Sequence, residues 1–183
     1  MIEKEIERKY ILSEDKYKSI IDLLSSEYKF DKVTQINYYY DTIDFQLFKN
    51  DETLRVRQKN DKLKLEYKYG KKIKDSIRTC LEFSKDIGAL PKKIHNSKSE
   101  DEYFNIGILV TERIDYKILD YIISLDKNYY LGYIDYEIEI ESQNDFSLPD
   151  ILCSINIVFS KNPKGKYTRF IKRLISSEKE YEL

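Results

Sequence analysis

Apolar and polar residues alternate at a period of two through most of this chain. The runs cover residues 2–11, 38–41, 53–59, 62–69, 76–83, 108–116 and 131–141, and each reads as a half-buried β-strand. Together they predict a mainly antiparallel sheet. Helical spacing is confined to a few places. Ser13 reads as an N-cap, with Tyr17, Ile20, Ile21 and Leu24 following on one face. Ser99 and Glu102 form a capping box for a short second helix. From about Lys166, the residues Tyr167, Phe170, Ile171, Leu174 and Ile175 make the apolar stripe of a C-terminal helix. Pro149 can open one more short helix, running to about Asn156. Residues 31–37 and 71–75 read as loops, where selectivity often resides.

The strands are apolar on one face and charged on the other. Two-residue periodicity puts Glu5, Glu7 and Lys9 together, opposite Ile6 and Tyr10. A two-residue turn at Asn60-Asp61 pairs 57 with 64, 55 with 66 and 53 with 68. Leu54, Val56, Leu65 and Tyr67 then share one face, and Arg55, Arg57, Lys64, Glu66 and Lys68 the other. Arg57 directly across from Lys64 is a like-charge pair that costs stability unless an anion or carboxylate lies nearby. This points to a bound polyanion, and it predicts that removing Arg57 spares stability. Arg78 shares a face with Glu82, and Arg113 with Asp115.

Opposite in sign is the segment 135–141, in which Asp135, Glu137, Glu139 and Glu141 fall on one face. Such a row repels itself and invites a hard divalent cation, Mg²⁺, Mn²⁺ or Ca²⁺, which oxygen ligands favour over zinc or copper. An open sheet with solvated charged faces and a closed barrel with a charged interior both fit this alternation. Segregation of sign favours the barrel, because acids dominate 135–141 and bases dominate 55–68.

Composition narrows the picture. The chain has 183 residues, 41% of them hydrophobic and 36% charged, with 32 basic against 33 acidic side chains. That length suits one domain spanning residues 1–183, and neither linkers nor repeats divide it. A net charge of −1 argues against a nucleic-acid binder recruited by bulk positive charge. No apolar run is long enough to span a membrane and no signal peptide opens the chain, so a cytoplasmic protein without membrane attachment is expected. One histidine, His95, and two cysteines without a spacing motif, Cys80 and Cys153, argue against zinc sites and Cys/His nucleophiles. Any chemistry then falls to carboxylates and cations.

These motifs resemble, in order, those of the CYTH or triphosphate tunnel metalloenzyme superfamily, in its small Firmicute-type bacterial form. The matching stretches are Glu5-Ile6-Glu7-Arg8-Lys9, Tyr39-Tyr40-Asp41-Thr42, Leu54-Arg55-Val56-Arg57, Leu65-Glu66-Tyr67-Lys68, Arg113, Asp135-Tyr136-Glu137-Ile138-Glu139 and Gly165-Lys166-Tyr167-Thr168-Arg169-Phe170. The resemblance implies an α+β fold, an eight-stranded antiparallel β-barrel forming a tunnel with helices packed outside. It implies a divalent-metal-dependent hydrolase of triphosphate compounds, using Mg²⁺ or Mn²⁺ on inorganic triphosphate or nucleoside triphosphates. Glu5, Glu7 and Glu139 are then expected as metal ligands, with Glu137 beside them as a ligand or water-positioning base. Lys9, Arg55, Arg57, Lys68, Arg113 and Lys166 are the expected triphosphate cradle. Lys9 and Arg57 join Glu137 as catalytic candidates, and Lys64, Arg78 and Arg169 face the same way. Glu82 and Asp126 stand where the family often has further acids.

Glu66 departs from the family pattern by adding a carboxylate to the basic wall. The chain also has no tryptophan, which makes thiamine triphosphate a less expected substrate than inorganic triphosphate or ATP. The alternatives are an adenylate cyclase of the same superfamily and a non-catalytic module that binds polyphosphate or a nucleotide. The expected partner is a small triphosphate, with the protein a monomer or homodimer.

Overall fold

The computed structural model describes residues 2–95, 100–142 and 164–181. Along the chain run β1 (Ile2–Leu12), α1 (Glu14–Glu27), β2 (Phe30–Asp41), α2 (Gln46–Lys49), β3 (Thr53–Lys59), β4 (Lys62–Lys74), β5 (Ile77–Ile87), β6 (Lys93–His95), β7 (Glu102–Ile118), β8 (Tyr121–Tyr130), β9 (Tyr133–Ser142) and α3 (Lys166–Tyr181). Strands pair in the order β2-β3-β4-β5-β1-β9-β8-β7, and an antiparallel β2–β7 pairing joins the two ends. Eight strands thus close into a barrel, the architecture that the alternation and the sign segregation favoured. Closure removes the edges of the eight-stranded ring, and the short β6 pairs antiparallel with the first residues of β7.

Helix α1 forms where its N-cap and apolar stripe place it. The Ser13 side chain accepts from the Lys16 backbone N–H at 3.2 Å. Tyr17, Ile20 and Leu24 pack against Tyr10 of β1, Ile114 and Tyr116 of β7, Leu125 of β8 and Ile138 of β9, on the outside of the barrel. Fully burying each such Ile or Leu contributes about 1.5–3 kcal/mol. A second outer cluster gathers Tyr40, Leu47, Leu54, Val56 and Tyr103 around α2 and β3.

Helix α3 packs against Tyr39, Leu109 and Tyr130 through Tyr167, Phe170 and Ile171. Tyr39 shares strand parity with Gln35 and Asn37, and Leu109 with Thr111 and Arg113, so α3 meets the inward-facing side of the wall and closes off that part of the barrel. Asp41, fully buried, fastens this end: it accepts from the backbone N–H groups of Leu47 at 2.9 Å and Phe48 at 3.0 Å and from the Tyr167 hydroxyl. Gly107 lets α3 approach, since a Cβ there would lie 2.5 Å from Phe170 Cζ and its φ of +143° disfavours other residues. Gly107→Ala is therefore expected to destabilise by about 1–3 kcal/mol, read as a lower midpoint in urea unfolding.

Several expectations are corrected. Glu102 opens β7 instead of sitting in a capped helix. Residues 31–37 belong to β2 and 71–74 to β4, so neither stretch is a loop. The helix expected from Pro149 lies outside the described residues. Among the described residues, no helix is long and apolar enough to cross a membrane.

Candidate active site

The β3–β4 hairpin has the register that its turn dictates: Thr53 pairs with Lys68, Arg55 with Glu66 and Arg57 with Lys64. On the other side of the ring β1 and β9 pair Glu7 with Glu141 and Lys9 with Glu139. Because β1 and β9 stand four places around the ring from β2 and β3, the acidic wall directly faces the basic one. Between them lies a cavity of about 1260 Å³. Lys9, Arg55, Arg57, Lys68, Arg113 and Lys166 all line it, as do Glu5, Glu7, Glu139 and Glu141.

Two groups of carboxylates lie close enough to share a metal ion, Glu5/Glu7/Glu141 and Asp126/Glu137/Glu139, each with oxygens within 4.8 Å of one another. Their surroundings differ. Asp126 accepts both forks of Arg113 at 2.7 Å and Lys166 Nζ at 2.7 Å. Glu139 pairs with Lys9 at 2.9 Å, Lys166 at 2.9 Å and Arg113. Glu137 is fully buried between Lys166 and Arg169 and does not line the cavity. This second group already carries its counter-charges and has no need of a cation.

The first group is under-compensated. Glu5 is held by Lys68, and Glu7 by Lys9 at 2.9 Å and more loosely by Arg78 at 3.6 Å. Glu141 has no ion-pair partner among the described residues. Burial pushes the Glu141 carboxyl up to about 7, with Glu139 and Glu5 adding to the effect. Burial likewise raises Glu7, against the pull of Lys9. Three clustered carboxylates, two of them reluctant to ionise, fit a hard divalent cation. Sequence reasoning placed Glu139 with Glu5 and Glu7, yet the structure puts Glu141 there and Glu139 among three cations. The strand register, Glu7 across from Glu141, carries the distinction, and one strand read in isolation cannot show it.

The cations are held ionised by their neighbours. Burial alone would depress Lys9, but Glu139 and Glu7 outweigh it and raise its pKa. Burial opposes Arg113 and Lys166 in the same way, and Asp126 leads the carboxylates that overcome it. Lys68 bridges Glu5 and Glu82, the latter at 2.8 Å. Glu66 accepts from Arg55 Nε at 2.7 Å and lies 3.4 Å from Arg57 Nη2. This departure from the family pattern thus locks both guanidiniums, and it also relieves the repulsion between Arg57 and Lys64. Arg57→Ala should leave the melting temperature within a few degrees of the native value, since Glu66 keeps Arg55, while cutting turnover by about 100-fold.

Other candidates fall elsewhere. Lys64 is exposed at the rim of the cavity. Arg169 does not line the cavity and instead ties α3 to β9 through Asp135 at 2.8 Å and Glu137 at 2.9 Å. Cys80 lines the cavity, and its thiol donates to Glu5 at 3.0 Å. His95 is exposed beside Glu102, and Cys153 lies outside the described residues. Strand β8, which brings Asp126 and Ser124 inward, is absent from the sequence-predicted runs. The alternation Ile123, Leu125 against Ser124, Asp126, Asn128 carries its signal, masked by the flanking Tyr121-Ile122 and Tyr129-Tyr130 pairs.

The buried ion pairs make stability depend on pH. Burial opposes ionisation of Glu137, but Lys166 and Arg169 prevail and hold it at about 2, below its ordinary 4.5. A depressed carboxyl contributes stability above its unfolded pKa, lost as the pH falls through 4.5 toward 2. Glu5, also held at about 2, adds to the same window. Urea unfolding of Glu137→Gln across that range should show a shallower slope, with the gap to the native protein narrowing toward pH 2.

A family model described as the CYTH domain matches residues 3–163, and the chain belongs to the CYTH family. The matched span stops just short of α3, which supplies Lys166. Among solved structures, a Bacillus halodurans protein named as a proposed adenylate cyclase is 27% identical, with a TM-score of 0.72 over 92% of this chain and 98% of that one. A Hippeastrum protein, named as a proposed adenylyl cyclase with a dominant triphosphatase activity, is 22% identical. It has a TM-score of 0.73 over 92% of this chain and 95% of its own, a likeness of fold. No curated protein matches the chain.

Proposed function

We propose that this protein is a divalent-metal-dependent hydrolase of triphosphate compounds, acting on inorganic triphosphate and nucleoside triphosphates. One observation carries the reading: a single barrel interior holds an under-compensated carboxylate cluster on one wall and the buried Arg55 with the half-buried Arg57 on the facing wall. A metal cluster alone needs no facing cations, and an anion site alone needs no Glu5, Glu7 and Glu141 together.

In this reading Glu5, Glu7 and Glu141 hold Mg²⁺ or Mn²⁺. Bound there, the cation would neutralise phosphate charge and make water a better nucleophile. Arg55 and Arg57 receive phosphate oxygens with planar forks, while Lys9, Lys68 and Lys166 act as point charges. Arg113 and Asp126 set the position of Lys166 and Glu139. Glu137, enclosed by Lys166 and Arg169, acts as a positioning residue for Lys166. Phosphoryl transfer asks the protein for little covalent chemistry, so this charge arrangement suffices without a protein nucleophile.

The test is phosphate release from inorganic triphosphate and ATP with Mg²⁺ or Mn²⁺. Orthophosphate released from either compound only when metal is present is the expected result. Pyrophosphate and cyclic AMP from ATP would replace the hydrolase with a cyclase, and tight binding without turnover would leave a sensor.

A further inference from the structure

Four polar atoms without a hydrogen-bond partner gather on two paired strands of the barrel. They are Asn37 Oδ1 and the Tyr39 hydroxyl on β2, and Arg55 Nη2 and Arg57 Nε on β3. The strand register sets Asn37 across from Arg57 and Tyr39 across from Arg55, and all four residues line the cavity. Asn37, Tyr39 and Arg55 are each at most 8% exposed. The Tyr39 ring packs 4.9 Å from Tyr167 and 5.3 Å from Phe170, while its hydroxyl lies against the Arg55 guanidinium without a well-aligned hydrogen bond to it.

Orphaned buried polar atoms are costly, and a cluster of them marks a place where a polar ligand completes the structure. Here three are donors, Arg55 Nη2, Arg57 Nε and the Tyr39 hydroxyl, and one is an acceptor. Asn37 Nδ2 donates to the Leu109 carbonyl at 3.4 Å, which turns Oδ1 toward the unfilled side as that acceptor. Three donors suit the oxygens of a phosphoryl group. The acceptor suits a P–OH, which a terminal phosphoryl retains near neutral pH, whereas the single, more acidic hydroxyl of an internal phosphoryl is ionised there.

We propose that Asn37 and Tyr39, with Arg55 and Arg57, form a terminal-phosphoryl subsite that lets the enzyme distinguish three linked phosphates from two. This deepens the triphosphatase reading and rests on it. Strands β2 and β3 stand across the ring from β1 and β9, so a phosphate chain anchored at the Glu5/Glu7/Glu141 cluster would meet the subsite with the end that it points across the barrel. A diphosphate anchored the same way leaves Tyr39 and Asn37 unfilled. Neither residue carries charge, and neither stands out in the strand periodicity that exposed the cations.

Titration calorimetry with imidotriphosphate and imidodiphosphate, each with Mg²⁺, tests this without turnover. Tyr39→Phe keeps the ring against Tyr167 and Phe170 while deleting only the orphaned hydroxyl. It should bind imidotriphosphate about tenfold more weakly, bind imidodiphosphate unchanged, and melt no lower than the native protein. Asn37→Ser should show the same selective loss. Equal weakening of both ligands, or no weakening of imidotriphosphate while the native protein binds it, overturns the subsite. Failure of the native protein to bind imidotriphosphate at all overturns the functional reading itself.

Discussion

Glu7→Gln is expected to abolish the proposed metal-dependent triphosphate cleavage, lowering turnover by about 1000-fold or more. Glu7 sits between Glu5 and Glu141 and is buried to 3% exposure, so glutamine fills the same space without its charge. Burial already raises its pKa, so neutralising it relieves the repulsion from Glu5 and Glu139. The fold should therefore hold: the cost is confined to the contact with Lys9, which keeps Glu139 at 2.9 Å, and to the looser one with Arg78 at 3.6 Å. Addition of Mg²⁺ should raise the melting temperature of the native protein and leave that of Glu7→Gln unmoved. Thermal melts with and without the ion, beside phosphate release, separate lost metal from lost fold.

Asp126→Ala has the opposite signature. Asp126 is fully buried and satisfies Arg113 through two hydrogen bonds and Lys166 through a third. Removing it leaves Arg113 with Glu139 and, at 4.0 Å, Asp115, and the buried Lys166 with Glu137 and Glu139, and breaking a buried pair in this way costs about 3–5 kcal/mol. For a chain of this size that is a fall in melting temperature of roughly 10 °C. Differential scanning calorimetry would register it, and a shift of only a degree or two would mean that Arg113 and Lys166 find other partners.

The elements that sequence predicts best are those whose two faces differ. The β3–β4 hairpin is read to the residue because Asn60-Asp61 pins the register and Leu54, Val56, Leu65 and Tyr67 turn toward an apolar layer. Helix α1 is equally plain, with one stripe against the barrel and a capped start. The start of β2 is hidden because Gln35 and Asn37 face a polar interior while Asp31 and Lys32 are exposed, so no alternation survives. The end of β4 is hidden because Lys72, Ile73 and Lys74 resume the ladder with β5 after a register shift at 70–71, held by backbone pairing rather than by an apolar face. A barrel with a charged interior weakens the usual signal, since burial and polarity coincide inside it.

For the site, charge and parity put Glu5, Glu7 and Lys9 on one strand face and Arg55, Arg57 and Lys68 on another, and the structure turns both faces toward the same cavity. Long-range register is what separates Glu141 from Glu139, and Glu137 from the cavity. It also brings Asn37 and Tyr39 beside Arg55 and Arg57, which neither charge nor spacing foretells.

In the proposed site Glu5, Glu7 and Glu141 hold the metal while the facing cations hold the triphosphate. Anomalous scattering from a crystal grown with Mn²⁺ and imidotriphosphate tests both halves at once. A manganese peak is expected among Glu5, Glu7 and Glu141, with phosphate density reaching Arg55 and Arg57. A peak at Asp126, Glu137 and Glu139, or a triphosphate bound outside the barrel, would contradict it.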